Sequence, residues 1–148
     1  MFKHILVPTD GSRFSDRAIR DAAEIAGKVG AKLTGIHVVP PYSMAIAGWE
    51  IVPAVVLTRA EYRSATAMAA KAVFEKIEKT ARAAGLACAT LCITEENPWK
   101  AIVQVARSHR CDLIVMASHG RRGLSGLILG SETTKVLTHS RVPVLVVR

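Results

Sequence analysis

The sequence contains no apolar run of the roughly 18 residues that a membrane-spanning helix requires. Its first residues, MFKHILVP, lack a cationic segment followed by an apolar stretch and a cleavage site, so no secretory signal peptide is expected. These absences predict a soluble, cytoplasmic protein with no membrane partner.

Cysteine, aromatic and acidic residues are all scarce. Cys88, Cys92 and Cys111 match neither a zinc site nor a CxxC redox pair, and we interpret them as reduced core residues. Aromatic residues make up 5% of the chain, too few for the stacking platforms of single-strand binders. Twenty Lys and Arg against twelve Asp and Glu give a net charge of +8, which would attract polyanions. We interpret this charge as a solvated surface, and nucleic acid is not expected to be a partner.

Apolar patterning predicts one domain, residues 1–148, in which strands alternate with helices. With 148 residues, half of them hydrophobic, the chain can bury a core of its own. Short apolar runs bounded by turn residues predict five buried strands: Lys3–Pro8, Lys32–Val39, Leu86–Ile93, Asp112–Ser118 and Val142–Val147. Only crossover connections join parallel strands in this way, so the fold class is α/β, a parallel sheet with helices on both faces.

Four helices are predicted from three- and four-residue apolar spacing and from capping residues. Ser15 is expected to cap the first helix, which ends at Gly30. The second runs from Thr58 to Ala84 and ends at Gly85, the third begins at Pro98 after Asn97 as the cap, and the fourth spans Ser131–Ser140. The apolar side of the second helix is predicted to comprise Tyr62, Ala65, Ala69, Val73, Ile77 and Ala84.

Two loops are suited to ligand binding. In an open parallel sheet, ligands bind beyond the carboxyl ends of the strands where the strand order reverses. If the order is 3-2-1-4-5, the loop PTDGS after strand one and the glycine-rich loop after strand four flank one crevice. Glycines let backbone amides approach a phosphate and tolerate positive φ angles. We expect these roles for Gly120, Gly123, Gly126 and Gly130.

Gly130 and Ser131 open the last helix, where free amides and the helix dipole favour an anion, and the serine hydroxyl is a further donor. Arg121 and Arg122 either add charge against a polyphosphate or are plain surface residues. The loop matches neither GxGxxG nor GxxxxGK[ST], so a different binding geometry is required.

These residues resemble the ATP-binding branch of the universal stress proteins. That branch carries Gly-x-x-Gly, nine residues, then Gly-Ser or Gly-Thr at this place, matched here by Ala117, Gly120, Gly130 and Ser131, with alanine replacing the first glycine. ILVPTDGS, IHVV, DLIVMASHG and VPVLVV also resemble family motifs, and Pro40–Leu57 is the least matched part. The resemblance implies a Rossmann-like fold, similar to the adenine nucleotide alpha hydrolases, and ATP with Mg²⁺ or Mn²⁺ as ligands.

The resemblance and the loops together predict the site residues. Asp10 would hold the base, the ribose edge or a phosphate-bound metal ion, or else cap its own turn, and Val38 and Met116 would form apolar walls for adenine or belong to the core. Glu132 belongs to the set, but its carboxylate would repel a phosphate, so we expect it to point outward. The full predicted set is Pro8, Thr9, Asp10, Val38, Met116, Ala117, Gly120, Arg121, Arg122, Gly130, Ser131, Glu132 and Thr133. Thr134 is a further hydroxyl, whereas His119 is interpreted as incidental and His37 as a core residue.

The predicted function is nucleotide-responsive regulation or protection under stress, by a dimer that pairs through its last strand as family members do. Alternatives are a weak ATPase, an interaction protein that binds no nucleotide, and a nucleic-acid binder. Little ATP turnover is expected, because hydrolysis needs a positioned base or water-orienting group and the loop offers none besides Asp10. The paired carboxylates, the aspartate after strand three and the final lysine of a response-regulator receiver are missing. The loop YSMAIAGWEIVPAVV would cover the pocket, extend the interface or pack over the core.

Overall fold

A computed structural model describes residues 1–43, 58–120 and 129–148. Their strands form one five-stranded parallel sheet in the order β3-β2-β1-β4-β5, as predicted. The strands are β1 (His4–Pro8), β2 (Lys32–Val39), β3 (Cys88–Thr94), β4 (Leu113–Ala117) and β5 (Val144–Val147). The helices are α1 (Arg13–Val29), α2 (Arg59–Ala83), α3 (Pro98–Ser108) and α4 (Ser131–His139). None of the helices in these ranges is long and apolar enough to cross a membrane.

The helices cover both faces of the sheet and divide the core into two clusters. Alternate residues of β1 point to opposite faces: Ile5 and Val7 pack in the cluster with α1 and α2, and Leu6 packs in the cluster with α3 and α4. Leu113 and Val115 join the first cluster and Ile114 the second. Because β1 and β4 are central and buried on both sides, they read as continuous apolar runs, which is why the sequence identified them.

The first helix begins one turn earlier than predicted. Ser12, not Ser15, is the N-cap: its backbone is extended, and its hydroxyl accepts a hydrogen bond from the Ser15 amide at 3.3 Å. Ser15 lies within the first turn, buried, and its hydroxyl donates to the Ser12 carbonyl at 2.9 Å. Gly30 ends the helix with φ of +70°, as its position predicted. Two serines three residues apart could each serve as a cap, and the extended backbone at Ser12 selects the first.

The buried side of α2 differs from the predicted one. Ala65, Ala69 and Ala84 are exposed, and the buried residues are Ala70, Val73, Ile77 and Ala81. Alanine buries little surface, so its spacing does not define a face, whereas the larger Val73 and Ile77 do.

Two further sequence predictions need correction. Cys111 is buried, as expected, but Cys92 is exposed because β3 lies at the edge of the sheet. Asn97 occupies the N-cap position of α3, yet its side chain makes no capping hydrogen bond. His37 is confirmed as a buried, hydrogen-bonded histidine.

Candidate functional site

The strand order reverses between β1 and β4. The chain leaves β1 toward α1 on one face of the sheet and leaves β4 toward α4 on the other. Loops that part in this way open a crevice at the carboxyl ends of the two strands, the usual ligand position in such sheets. We call this place the mouth, formed by residues 8–12, residues 117–120 and the first turn of α4. The two predicted loops therefore meet.

The turn after β1 is held by several hydrogen bonds. The Thr9 amide donates to the Ile36 carbonyl at 2.9 Å, and the buried Thr9 hydroxyl donates to Ser15 Oγ at 3.2 Å. Gly11 follows with φ of +80°, a left-handed conformation that favours glycine. Asp10 Oδ1 accepts a hydrogen bond from the Ser12 amide at 3.0 Å. The carboxylate therefore caps its own turn, which was the alternative to a ligand-binding role for Asp10.

The loop after β4 approaches this turn closely. A Cβ atom added to Gly120 would lie 2.7 Å from Asp10 Oδ2, so a larger residue would displace the carboxylate. The rings of Phe14 and His119 lie 6.1 Å apart between centroids and bring the two loops together at a second point. The contact with Phe14 was not predicted; its sequence signal is an aromatic residue two positions after PTDGS. Asp10 and Gly120, distant in sequence, are thus neighbours at the mouth.

Gly130 is required for close packing rather than for an unusual backbone angle. It is the N-cap of α4 with φ of −59°, and its amide donates to the Ser118 carbonyl at 2.8 Å. An added Cβ atom would lie 3.1 Å from that same carbonyl oxygen. The predicted positive φ is therefore wrong at Gly130 and at Gly120, and the close approach seen at Gly130 is to the protein's own backbone, so approach to a phosphate stays a prediction. Gly123 and Gly126 lie outside the described residues.

The first turn of α4 receives no hydrogen bond from a side chain of its N-cap residue, which is a glycine. The first amides of an α-helix have no partner within the helix, and a glycine N-cap has no side chain to bind them. Ser131, the first residue of the helix, is exposed. Thr133 is buried, and its hydroxyl donates to the Ala117 carbonyl at 3.0 Å, which ties the helix to the end of β4. The Thr134 hydroxyl donates to the Gly130 carbonyl at 3.1 Å.

The Glu132 carboxylate is held by two contacts within the protein instead of pointing freely outward. Its Oε2 accepts from the Trp99 amide in the first turn of α3 at 2.9 Å, and its Oε1 accepts from Lys135 Nζ at 2.8 Å. The carboxylate therefore caps the neighbouring helix, for which Asn97 supplies no side-chain bond. This arrangement joins α3 to α4 and directs the negative charge away from the first-turn amides.

The remaining predicted residues surround the mouth or lie outside the described chain. Pro8 is the last residue of β1 and Ala117, which is buried, is the last of β4. Met116 is buried in the cluster beneath α3 and α4, and Val38 packs partly buried against the same cluster. Both residues thus pack in the core, and contact with an adenine base stays a prediction for them. Arg121 and Arg122 lie outside the described residues, as does most of the loop from Tyr42 to Val56.

A separate cavity of about 590 Å³ lies between α2 and the ends of β2 and β3, lined among others by Phe74, Cys92 and Thr94. Its lining contains neither a glycine turn nor the start of a helix, both of which are present at the mouth. Within the described residues, no three His, Cys, Asp or Glu side chains form a group that could hold a metal ion.

The fold and the mouth define a doubly wound α/β protein with a glycine-capped helix start at its switch point. The model of the universal stress protein family matches residues 1–148, and the chain belongs to that family. It is similar to the universal stress protein MJ0531 of Methanocaldococcus jannaschii, with 33% identity over all of this chain and 83% of that protein.

Solved structures show the same fold. One is the structure of MJ0577, from the same organism. The aligned region covers 99% of this chain and 96% of that one, with a TM-score of 0.81 and 28% identity. A universal stress protein solved in complex with cAMP covers 99% and 97% with a TM-score of 0.70 and 26% identity.

Proposed function

We propose that this protein binds an adenine nucleotide, ATP together with Mg²⁺, at the mouth between β1 and β4. The observation that carries the proposal is the glycine-capped start of α4 facing the same crevice as Asp10 and Gly120. A helix start of this kind offers amides and a dipole to a phosphate. The relative solved with cAMP supports an adenine nucleotide as the ligand class.

The contacts within the protein divide the predicted residues into two groups. Gly130 and Thr133 already donate to Ser118 and Ala117, so we propose that they shape the turn. The exposed Ser131 hydroxyl and the first-turn amides of α4, including those of Glu132 and Thr133, would contact the phosphates. We propose that Val38 and Met116 contact the adenine ring. Pro8, Thr9 and Ala117 would form the floor of the mouth. Arg121 and Arg122 remain proposed phosphate ligands.

Asp10 is suited to bind a metal ion that is already coordinated by the nucleotide phosphates. Mg²⁺ is commonly held by one or two carboxylates together with substrate phosphates and water. Asp10 Oδ1 is hydrogen-bonded to the Ser12 amide, while Oδ2 lies beside Gly120. When bound, the metal would neutralise phosphate charge. Turnover would need a group that orients the attacking water, and Asp10 is the one acidic residue of residues 8–12 and 117–120. We therefore expect a nucleotide-responsive regulator with little ATP hydrolysis.

The sharpest test adds a negative charge at Ser131. Aspartate in the first turn favours the helix by about 0.3–1 kcal/mol but repels a phosphate at the same place. Ser131→Asp should therefore keep or raise the stability of the protein and abolish binding of ATP with Mg²⁺, measured by calorimetry. Thr58→Asp is the matched control, because it adds the same charge at the N-cap of α2, on the opposite face from α4. Equal binding by wild type and Ser131→Asp would contradict the proposed site.

We also propose a homodimer that forms through β5. This strand lies at the edge of the sheet, and Leu145 on it is 41% exposed. An exposed, apolar edge strand tends to pair with another chain, and a lysine on it opposes such pairing. Leu145→Lys should convert a dimer to a monomer in light scattering, with nucleotide binding retained. A monomeric wild-type protein would contradict this part of the proposal.

A further inference from the structure

His37 lies beneath the mouth and reaches from β2 to the turn after β1. Its side chain is buried, 6% exposed, and its Nδ1 lies 2.8 Å from the Thr9 carbonyl oxygen. A carbonyl oxygen accepts only, so Nδ1 carries the proton and donates. The ring meets Phe74 of α2 edge-on, with centroids 6.4 Å apart, which fixes its orientation.

The bond from His37 acts on the peptide unit that precedes Asp10. The Thr9 carbonyl and the Asp10 amide belong to one planar peptide group, so holding the oxygen fixes the direction in which the chain enters Asp10. The same turn is held on its other side by the Thr9 amide, which donates to Ile36, and by the Thr9 hydroxyl, which donates to Ser15. Among these contacts, the His37 bond is the one that holds the carbonyl.

The position of Asp10 is sensitive to this peptide because the mouth is narrow there. Asp10 Oδ2 lies so close to Gly120 that a Cβ atom at that glycine would be only 2.7 Å away. A rotated peptide would therefore swing the carboxylate into the loop after β4 or out of the crevice. Displacements of about 1 Å are enough to impair a site that depends on positioned groups.

We propose that His37 is a positioning residue of the nucleotide site: it donates to the Thr9 carbonyl and thereby sets the carboxylate of Asp10 against bound phosphate and metal. The inference rests on the proposed function and adds a residue that touches no nucleotide. It gives the buried histidine a role beyond core packing.

Two substitutions separate the hydrogen bond from the volume of the ring. His37→Leu fills part of the space and removes the donor, whereas the side-chain amide of His37→Asn places an N–H group near the Nδ1 position. We expect His37→Leu to weaken binding of ATP with Mg²⁺ by about tenfold, near the upper range for losing one hydrogen bond. His37→Asn should recover most of that loss, although both variants lose ring contacts with Phe74.

A control residue and a double substitution distinguish positioning from a general loss of stability. His4 is also buried, 7% exposed, with both ring nitrogens hydrogen-bonded, but it lies at the amino end of β1. His4→Leu should lower stability and leave nucleotide affinity unchanged. In an Asp10→Ala background, His37→Leu should cause no further loss of affinity, because the group that it positions is gone.

The outcomes test the two proposals separately. If the wild type binds and His37→Leu binds equally well, or loses affinity equally in the presence and absence of the Asp10 carboxylate, the positioning role is refuted while the nucleotide site stands. If the wild type binds no adenine nucleotide, both proposals fall.

Discussion

Gly35 lies in the middle of β2, where α2 packs so closely that one added methyl group would overlap Ile77. A Cβ atom at Gly35 would lie 2.9 Å from Ile77 Cδ1 and 3.2 Å from Ile77 Cγ2. Carbon atoms in good contact are about 3.5–4.0 Å apart, so the closer pair is short by roughly 0.6 Å or more. Ile77 has no exposed surface and cannot move into solvent.

The expected cost of Gly35→Ala follows from these distances. Overpacking of a buried site costs about 1–3 kcal/mol. Replacing glycine in a strand returns about 0.5–1 kcal/mol through the lower entropy of the unfolded chain. We therefore expect a net loss of about 1 kcal/mol in the free energy of unfolding, measured by urea denaturation monitored by circular dichroism.

A second substitution shows whether the loss comes from this contact. Ile77→Val removes Cδ1 and alone should cost about 0.5–1.5 kcal/mol. Combined with Gly35→Ala, it should cost less than the sum of the two, with an interaction energy of about 1 kcal/mol. Gly27→Ala is the control: it lies within α1 with no heavy atom within 4 Å of the added Cβ, and should be stabilising. Additive effects, or a stable Gly35→Ala protein, would refute the packing argument.

Three further predictions concern the helix end, acid stability and the thiols. Gly30→Ala should destabilise by about 1–2 kcal/mol, since φ of +70° strains any residue with a Cβ atom. Burial, followed by the charge of Lys32, lowers the pKa of His4 below 6.5, against the opposing effects of the His109 carbonyl and Asp112. Between this lowered pKa and pH 6.5 the unfolded chain binds a proton that the folded protein does not, so stability should decrease as the pH is lowered through that range, and His4→Asn should flatten this slope. Burial raises the pKa of Cys111 to about 11, so an alkylating reagent at pH 8 should modify the exposed Cys92 first and Cys111 only on unfolding.

Each of these predictions has a clear contrary result. A Gly30→Ala protein as stable as the wild type would show that the helix ends in another way. Identical acid slopes for the wild type and His4→Asn would exclude this histidine as the acid-sensitive group. Peptide mass spectrometry showing early alkylation of Cys111 would contradict its burial.

The predictions from sequence succeeded where a local pattern has only one good structural solution. The run of β4 is apolar at every position, so it is buried on both faces and central. Gly30 ends α1 because only glycine adopts that backbone angle without strain. The predictions failed where side chains of similar type compete, as between Ser12 and Ser15 for the cap, and among the many alanines of α2. The cap depends on which serine has an extended backbone, and the buried side of α2 depends on contacts with residues distant in sequence.

In the candidate site, too, some features follow from the sequence and others only from the tertiary structure. The sequence alone determined the fold class and the two loops, because apolar period, turn residues and glycines are local properties. The strand order was an assumption that the tertiary structure confirmed. Only the tertiary structure decided that Glu132 caps α3, that Asp10 lies against Gly120 and that His37 holds the Thr9 carbonyl. These contacts join residues on different elements, and their geometry is set by how the helices and strands pack rather than by any pattern within one segment.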